Sequence, residues 1–173
     1  MPDPRIECRQ GDIANQPDLE AVINAANAEL RPGGGVAGAL HRAAGSELDR
    51  ACRPWPHQAR PGGTHRGLEL PNRYVIHCLG PVYGVDEPAD ELLAACYRHA
   101  LELAETHEIR RLGFPALSAG VGYPAAEAAR IALATVVQTL PTCPHVERVR
   151  FVLFDAASHD LFQHTLESLK PRT

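Results

Sequence analysis

The sequence predicts an α/β fold with a mostly parallel sheet between two helix layers. Short β-branched or apolar runs alternate along the chain with longer segments of helical periodicity. Two glycine-rich loops, at 33–35 and 118–122, each lie between a predicted strand and a predicted helix. In open α/β sheets ligands bind at the carboxyl ends of strands, and a helix N-terminus there suits an anion. The pattern therefore predicts a site for a ligand that carries phosphate.

The elements are predicted in chain order from apolar periodicity and from turn residues. The predicted strands are 6–9, 21–24, 74–78, 112–114 and 149–154. The predicted helices are 36–44, 46–52, 90–107, one with Pro124 at its first position that ends near 140, and one that begins at Ser158. The segment 53–66 is rich in Pro, Gly and His and is interpreted as a surface connection. Because no repeat or linker interrupts the pattern, residues 1–173 are expected to form one domain.

Composition restricts the functional class. A net charge of −4 over 173 residues argues against a nucleic-acid binder, which would present a basic face. The five cysteines are odd in number and never spaced C-x-x-C, which favours reduced thiols in the cytoplasm. Neither a membrane span nor a signal peptide is indicated. We therefore expect a cytoplasmic protein that binds no membrane.

The scarcity of lysine excludes two mechanisms. The only lysine is Lys170, near the end of the sequence. A P-loop needs a lysine at the start of a helix after a glycine loop, and Schiff-base chemistry needs a buried lysine. Any phosphate is therefore expected to be held mostly by backbone N–H groups. No metal-binding motif is present, so no metal and no cofactor are expected.

The first glycine loop is the most informative part of the sequence. A short apolar run ending at Ile23 leads to Asn24 and Asn27, then to Pro32 and three consecutive glycines. Glycine lets the backbone approach a phosphate closely, and the free N–H groups of the following helix point toward it. The alternative is an ordinary flexible connection, but three consecutive glycines cost conformational entropy on folding.

The chain resembles a macrodomain in six ordered motifs that cover nearly its whole length. They are GDI at 11–13, VINAAN at 22–27, GGGVAGALHRAAG at 33–45, YVIHCLGP at 74–81, PALSAG at 115–120 and VLFD at 152–155. The resemblance implies a three-layer α/β/α domain with a mixed, mostly parallel central sheet. It also implies that the partner is ADP-ribose or an ADP-ribosylated substrate.

The resemblance assigns the residues that would bind ADP-ribose. Asp12 would accept a hydrogen bond from the adenine amino group beside the Ile13 backbone, and Phe154 would lie against the ring with Asp155 near the proximal ribose. Asn27 would contact the distal ribose, whereas Asn24 is interpreted mainly as a structural residue. The two phosphate loops would be Gly33, Gly34, Gly35 and Val36, and Ser118, Ala119, Gly120, Val121 and Gly122, with Tyr123 beside the second. From the residues alone, Asp12 could equally be a solvated turn residue and Phe154 a core residue.

Three departures from the family pattern concern catalysis. Ala37 stands where macrodomains that resemble the efficient mono-ADP-ribosyl hydrolases have an aspartate, and Pro32 stands where viral-type macrodomains often have a histidine. The second loop is one residue shorter than usual and lacks an aromatic, a place that Tyr123 would have to fill. Asn27 and His41 remain as the catalytic residues, although His41 could instead be a surface or core histidine.

Three functional hypotheses follow. The first is a hydrolase of ADP-ribose derivatives: mono-ADP-ribosylated protein, O-acetyl-ADP-ribose or ADP-ribose 1''-phosphate. The second is a non-catalytic ADP-ribose reader, which Ala37 and Pro32 favour. The third, a nucleic-acid or other nucleotide binder, is disfavoured by the acidic charge. A monomer is expected.

Overall fold

A central sheet of six strands organises the structure, a computed structural model that describes residues 4–25, 61–66, 72–78, 88–117 and 124–169. The strands are β1 (Ile6–Gln10), β2 (Ala21–Ala25), β3 (Pro61–Arg66), β4 (Tyr74–Cys78), β5 (Arg111–Phe114) and β6 (Arg148–Leu153). Their order across the sheet is β1-β6-β5-β2-β4-β3. Every neighbouring pair is parallel except β3 with β4, which is antiparallel. The mixed, mostly parallel sheet predicted from the sequence is therefore confirmed.

Of the three described helices, the middle one packs against the other two, and those two contact the sheet. They are α1 (Ala89–Thr106), α2 (Ala125–Thr139), which continues into the 3-10 turn Leu140–Thr142, and α3 (Ala156–Ser168). The predicted helices 36–44 and 46–52 lie outside the described residues. Within the described ranges, none of the helices combines the length and the apolarity needed to cross a bilayer.

Four aromatic rings form the centre of the core between these helices and the sheet. Tyr97 of α1 lies 5.0 Å from Phe114 of β5, measured between ring centroids, and Phe114 stacks on Phe151 of β6 at 5.7 Å. Phe162 of α3 completes the group at 5.4 Å from Phe151. Because strand side chains alternate between faces, the residues flanking Phe151, Arg150 and Val152, point to the opposite face. Both are buried, so the sheet is covered on both faces.

Two sequence predictions about element boundaries, for the segment 53–66 and for Pro124, were wrong. The segment 53–66 is not wholly a connection, because Pro61–Arg66 forms β3. Proline is tolerated there because β3 is the outermost strand of the described sheet, where a missing N–H donor removes no ladder bond to a second neighbour. Pro124 has an extended ψ of 125° and precedes α2 as its N-cap, so the helix begins at Ala125.

Gly113 of β5 lies beneath the segment that joins β1 to β2. A Cβ atom at this position would come within 2.7 Å of the Leu19 Cδ1 atom and 3.4 Å of the Ile13 Cδ1 atom. Both side chains are buried. The absence of a side chain at Gly113 thus lets Leu19 and Ile13 close over the sheet.

We predict that Gly113→Ala lowers the free energy of unfolding by about 1–3 kcal/mol, the usual cost of overpacking. Urea unfolding of wild type and variant measures it. Gly11→Ala is the matched control, because its Cβ would meet the nearest atoms only at 3.4 and 3.8 Å. The control should change stability by no more than about 0.5 kcal/mol. Equal stability of Gly113→Ala and wild type would contradict the close packing at Gly113.

Candidate functional site

The residues that follow β1 and β6 meet at one edge of the sheet. Gln10 and Leu153 are register partners at the carboxyl ends of these parallel strands. Directly beyond them, the Gly11 N–H donates to the Leu153 carbonyl oxygen at 2.9 Å. The segments that begin at Gly11 and at Phe154 are therefore neighbours. This brings Asp12 and Ile13 to the same end of the sheet as Phe154 and Asp155.

Asp12 and Ile13 present an acceptor and a donor side by side. Asp12 is exposed, and its Oδ1 accepts from the Ala14 N–H at 2.9 Å in an Asx-type turn. Within the described ranges, the second carboxylate oxygen of Asp12 accepts no hydrogen bond, and the Ile13 N–H donates none. The Ile13 side chain is buried, so this backbone position is fixed by packing. Asp12 is therefore an exposed turn residue whose second carboxylate oxygen is available to a hydrogen-bond donor.

Phe154 is an exposed aromatic ring at this edge. Its side chain is 85% exposed, the largest exposure of any large apolar side chain among the described residues. Strand β6 ends one residue earlier than predicted, at Leu153, which is buried. The interpretation of Phe154 as a core residue is therefore wrong.

Asp155 caps the N-terminus of α3. Its Oδ1 accepts from the Ser158 N–H at 2.7 Å, and this hydrogen bond lowers the pKa of the Asp155 carboxyl. Helix α3 consequently begins at Ala156 and not at Ser158 as the sequence predicted. The acidic residue beside Phe154 is held in place by the helix that it caps.

The remaining predicted site residues divide into two groups. Asn24 lies on β2 and is 1% exposed, and its role stays a prediction. The others lie outside the described residues: Asn27, Gly33, Gly34, Gly35, Val36, His41, Ser118, Ala119, Gly120, Val121, Gly122 and Tyr123. Their assignments remain predictions.

The strand order fixes where β5 and β2 end. In the sequence the second glycine loop follows β5 and the first follows β2, and both strands lie beyond β6 in the order β1-β6-β5-β2. With neighbouring strands about 4.8 Å apart, β1 and β2 are separated by roughly 15 Å. The candidate site is therefore a row of strand ends, suited to an elongated ligand.

A buried tyrosine anchors the entrance to the second loop. The Leu117 N–H donates to the Tyr97 hydroxyl oxygen at 3.1 Å. Tyr97 is 1% exposed, and burial raises the pKa of its phenol, so the hydroxyl stays neutral. The aromatic core thus holds the backbone directly before Ser118.

The described part of the chain shows neither a thiol with a lowered pKa nor a cluster of metal-binding side chains. Burial raises the pKa of the Cys8 and Cys96 thiols to about 12, and that of the Cys78 thiol well above its ordinary value. Such thiols are poor nucleophiles at neutral pH. No cluster of three or more His, Cys, Asp or Glu side chains that could hold a metal ion occurs within the described ranges.

Comparison with known proteins identifies the family. A sequence model described as "Macro domain" matches residues 23–132. The chain belongs to the Macro domain family. A macro domain-containing protein of Cupriavidus necator is 42% identical over 165 residues, which cover 90% of this chain and 94% of the relative. The O-acetyl-ADP-ribose deacetylase of Enterobacter cloacae is 41% identical over 170 residues, with 94% of each chain covered.

Solved structures agree with the fold of this macrodomain. An Oceanobacillus iheyensis macrodomain variant, in a structure with ADPR, matches with a TM-score of 0.90 and 36% identity, and 96% of each chain is covered. A Trypanosoma brucei macrodomain in complex with ADP-ribose matches with a TM-score of 0.85 and 34% identity. That match covers 92% of this chain and 68% of the other. The macrodomain fold implied by the sequence resemblance is confirmed.

A buried arginine supports the Asp12 segment of this macrodomain from below. Arg150 is 2% exposed, and it makes two hydrogen bonds to the Asp18 carboxylate at 2.6 and 2.8 Å. Its Nε donates to Glu7 Oε1 at 2.7 Å, and its Nη1 donates to Gln16 Oε1 at 2.8 Å. The arginine is therefore paired on several sides, as a buried charge requires.

The carboxylates that face Arg150 have lowered pKa values. The hydrogen bond from Arg150 lowers the pKa of Asp18 from 3.8 to about 2. Burial opposes a similar shift at Glu7, but the hydrogen bond and charge of Arg150, with Arg148, hold the pKa of Glu7 below its ordinary value. Both carboxylates are thus stabilised in their charged form.

Sequence reasoning missed Arg150, Gln16 and Tyr97. The only signal for Arg150 was a charged residue inside the apolar run RVRFVL. A charge within a buried strand indicates that partners exist, but not which ones. Gln16 and Tyr97 carry no local pattern that predicts their hydrogen bonds, because their partners come from packing.

We predict that Asp18→Asn makes the stability of this macrodomain less sensitive to acid. The pKa of Asp18 is lowered on folding, so its contribution is complete above pH 4 and is lost as pH falls toward 2. Because the Asp18 side chain is 57% exposed, solvent screening reduces this contribution to about 1 kcal/mol.

Urea unfolding at pH 7, 4 and 2.5 measures the effect. Asp160→Asn is the matched control, since Asp160 is 82% exposed and lies on α3, away from Arg150. Asp18→Asn should be destabilised at pH 7 and approach wild type in acid, whereas the control should follow wild type throughout. A constant difference between Asp18→Asn and wild type at all three pH values would contradict the ion pair.

Proposed function

We propose that this macrodomain binds ADP-ribose along the carboxyl edge of its sheet and hydrolyses ADP-ribose derivatives. The observation that carries the binding proposal is the adjacent acceptor and donor of Asp12 and Ile13, beside the exposed ring of Phe154. The ADP-ribose and ADPR named for structural neighbours support it.

The Asp12–Ile13 pair matches one edge of adenine. Adenine presents an amino donor at C6 next to an acceptor at N1. The available Asp12 oxygen would accept from the amino group, and the Ile13 N–H would donate to N1. A charge-assisted hydrogen bond to a carboxylate is stronger than a neutral one. The pair would therefore select a purine with a 6-amino group.

Phe154 and Asp155 would hold the rest of the adenosine. An aromatic ring that is already exposed can cover a base without a conformational change, and such stacking contributes about 1–3 kcal/mol per base. Asp155 follows Phe154 directly, and its proposed contact is with the proximal ribose. Two carboxylates at this end disfavour phosphate, so the diphosphate would lie farther along the edge.

The diphosphate would be held by the glycine loops and the distal ribose by Asn27. With Lys170 as the only lysine, backbone N–H groups are the expected donors. The strand order supports an arrangement in which the diphosphate and the distal ribose lie beyond the adenine, since β5 and then β2 follow β6 across the sheet. The ligand would run from adenine at β1 and β6 to the distal ribose at β2.

The hydrolysis proposal is supported by the relative named O-acetyl-ADP-ribose deacetylase. In that reaction water adds to the acetyl carbonyl carbon, the bond from that carbon to the ribose oxygen breaks, and the oxygen takes a proton. The products are ADP-ribose and acetate. Ala37 cannot orient water, so Asn27 is proposed to position water and ribose, with His41 in a lesser role. Positioning of this kind contributes several kcal/mol to lowering a barrier.

The alternative is a reader that binds ADP-ribose without turnover. Ala37 and Pro32 favour it, because both replace residues that could act on water or protons. The two proposals share the binding site and differ only in chemistry, so turnover discriminates between them.

We predict that ADP-ribose binds with a Kd in the micromolar range, which corresponds to a binding free energy of about −8 kcal/mol. Asp12→Ala should weaken binding by about 1–3 kcal/mol through the lost hydrogen bond. Asp12→Asn should also weaken binding. The single amide oxygen of asparagine would be needed to accept from the Ala14 N–H. The amide nitrogen, which is a donor, would then face the amino group of adenine, which is also a donor. Calorimetry measures all three proteins, with Asp160→Ala as a surface carboxylate control. A folded wild-type protein that binds no ADP-ribose would overturn the proposed function.

We predict slow hydrolysis that depends on Asn27. Asn27→Ala should remove most turnover, and His41→Ala should have a smaller effect. Ala37→Asp should raise the rate by restoring a carboxylate beside the distal ribose. General-base assistance is typically worth 10²–10⁴-fold, but a single substitution should give far less because misplacement is costly.

Initial rates on O-acetyl-ADP-ribose and on a mono-ADP-ribosylated protein measure these effects. Undetectable wild-type turnover on both substrates, with ADP-ribose bound, would leave the reader. Turnover that survives Asn27→Ala would show that Asn27 does not serve the reacting end of the ligand.

A further inference from the structure

One side chain connects the buried arginine to the backbone of Asp12. Gln16 Oε1 accepts from Arg150 Nη1 at 2.8 Å, and Gln16 Nε2 donates to the Asp12 carbonyl oxygen at 2.9 Å. Gln16 is 9% exposed and Arg150 is 2% exposed. The connection is therefore largely shielded from water, which strengthens each bond in it.

The orientation of the Gln16 amide follows from the chemistry of its partners. A guanidinium can only donate, so the oxygen of the amide must face Arg150. A carbonyl can only accept, so the nitrogen must face Asp12. Reversing the amide would break both bonds at once. Arg150 thus sets the direction in which Gln16 donates.

Gln16 is itself fixed by its backbone. The Asn72 Nδ2 donates to the Gln16 carbonyl oxygen at 2.7 Å and to the Leu19 carbonyl oxygen at 2.8 Å. Asn72 is 1% exposed. The Gln16 side chain therefore extends toward Asp12 from an anchored position.

Holding the Asp12 carbonyl also aims the Ile13 N–H. These two groups belong to one planar trans peptide unit and point in opposite directions. The Asp12 carbonyl accepts from Gln16 Nε2 and from the Asn15 N–H at 2.9 Å, so the peptide plane is held by two bonds. The Ile13 N–H must then point away from Gln16. The Ala14 N–H fixes the Asp12 carboxylate on the same turn.

We propose that Gln16, oriented by Arg150, is a positioning residue for purine selection at the Asp12–Ile13 edge. The inference rests on the proposed function, because it assigns a cause to the discrimination that this edge provides. Gln16 does not touch the ligand in this scheme. It holds the donor of Ile13 and the acceptor of Asp12 in the spacing that adenine requires, so that no reorganisation is needed on binding.

The test compares ADP-ribose with inosine diphosphate ribose. Hypoxanthine carries an oxygen at C6 and an N–H at N1, so it presents an acceptor to the carboxylate and a donor to the Ile13 N–H. The ratio of the two Kd values thus reports on the edge alone, since the diphosphate and both riboses are common to the two ligands. Calorimetry on the full chain gives the ratio for each variant.

Two substitutions separate the bonds of Gln16. Gln16→Met keeps the length of the side chain and removes both bonds. Gln16→Glu keeps an oxygen for Arg150 but places an acceptor against the Asp12 carbonyl. Both substitutions should reduce the preference for ADP-ribose by on the order of tenfold, the effect expected when one hydrogen bond between the Asp12–Ile13 edge and adenine is lost. Val136→Ala, in the buried face of α2, is a control for lost stability and should leave the ratio unchanged.

The outcomes are distinguishable. A wild-type preference for ADP-ribose that collapses in Asp12→Ala and falls in both Gln16 variants, but not in Val136→Ala, supports the proposal. A preference that survives in both Gln16 variants while Asp12→Ala removes it overturns the positioning role alone. A wild type that binds neither ligand overturns the proposed function and this inference with it. Slower amide exchange of Asn15 in wild type than in Gln16→Glu, measured without ligand, checks that the turn itself is held.

Discussion

Parallel pairing is the constraint on which the rest of this macrodomain depends. Strands that run in the same direction end at the same edge, so β1, β6, β5, β2 and β4 deliver five chain segments to one side of the sheet. Parallel pairing alone therefore brings residues that are distant in sequence to the same edge. Asp12 and Phe154 are separated by most of the chain, yet they follow neighbouring strands whose last residues are register partners.

The edge is shaped by what lies beneath it. Leu19 and Ile13 close over Gly113. The buried guanidinium of Arg150 donates hydrogen bonds to the side chains of Glu7, Gln16 and Asp18. A buried ion pair adds little net stability, because desolvation offsets much of the attraction. The hydrogen bonds from Arg150 to Gln16 and Asp18 also hold the segment between β1 and β2 against the sheet. Tyr97 performs a similar task at Leu117 with a neutral hydroxyl.

The sequence was sufficient for the fold class and for most of the described elements, because periodicity and glycine punctuation are local signals. It predicted β4 at its observed bounds and missed β3, where Pro61 and two glycines resemble a connection. Whether such residues form a strand depends on a neighbour at the sheet edge, which local pattern does not contain. At the site, motif resemblance predicted Asp12, Phe154 and Asp155, but the supports Gln16, Arg150 and Asn72 could not be predicted. Gln16 lies 134 positions from Arg150 and 56 positions from Asn72 in the sequence, so the hydrogen bonds among them arise only in the folded chain.

The outermost strand has a consequence for self-association. An unpaired strand edge is a template on which a second copy can add, and long regular edges invite it. Strand β3 is the outer strand of the described sheet on the side of β4, and it is antiparallel to its neighbour with a register irregularity between Pro61 and Thr64. Proline removes a donor at one end, and the irregularity interrupts the ladder. A missing donor and an irregular register are features by which natural sheets protect an edge from pairing with a second copy, so the residues that obscured β3 in the sequence are those typical of a protected edge.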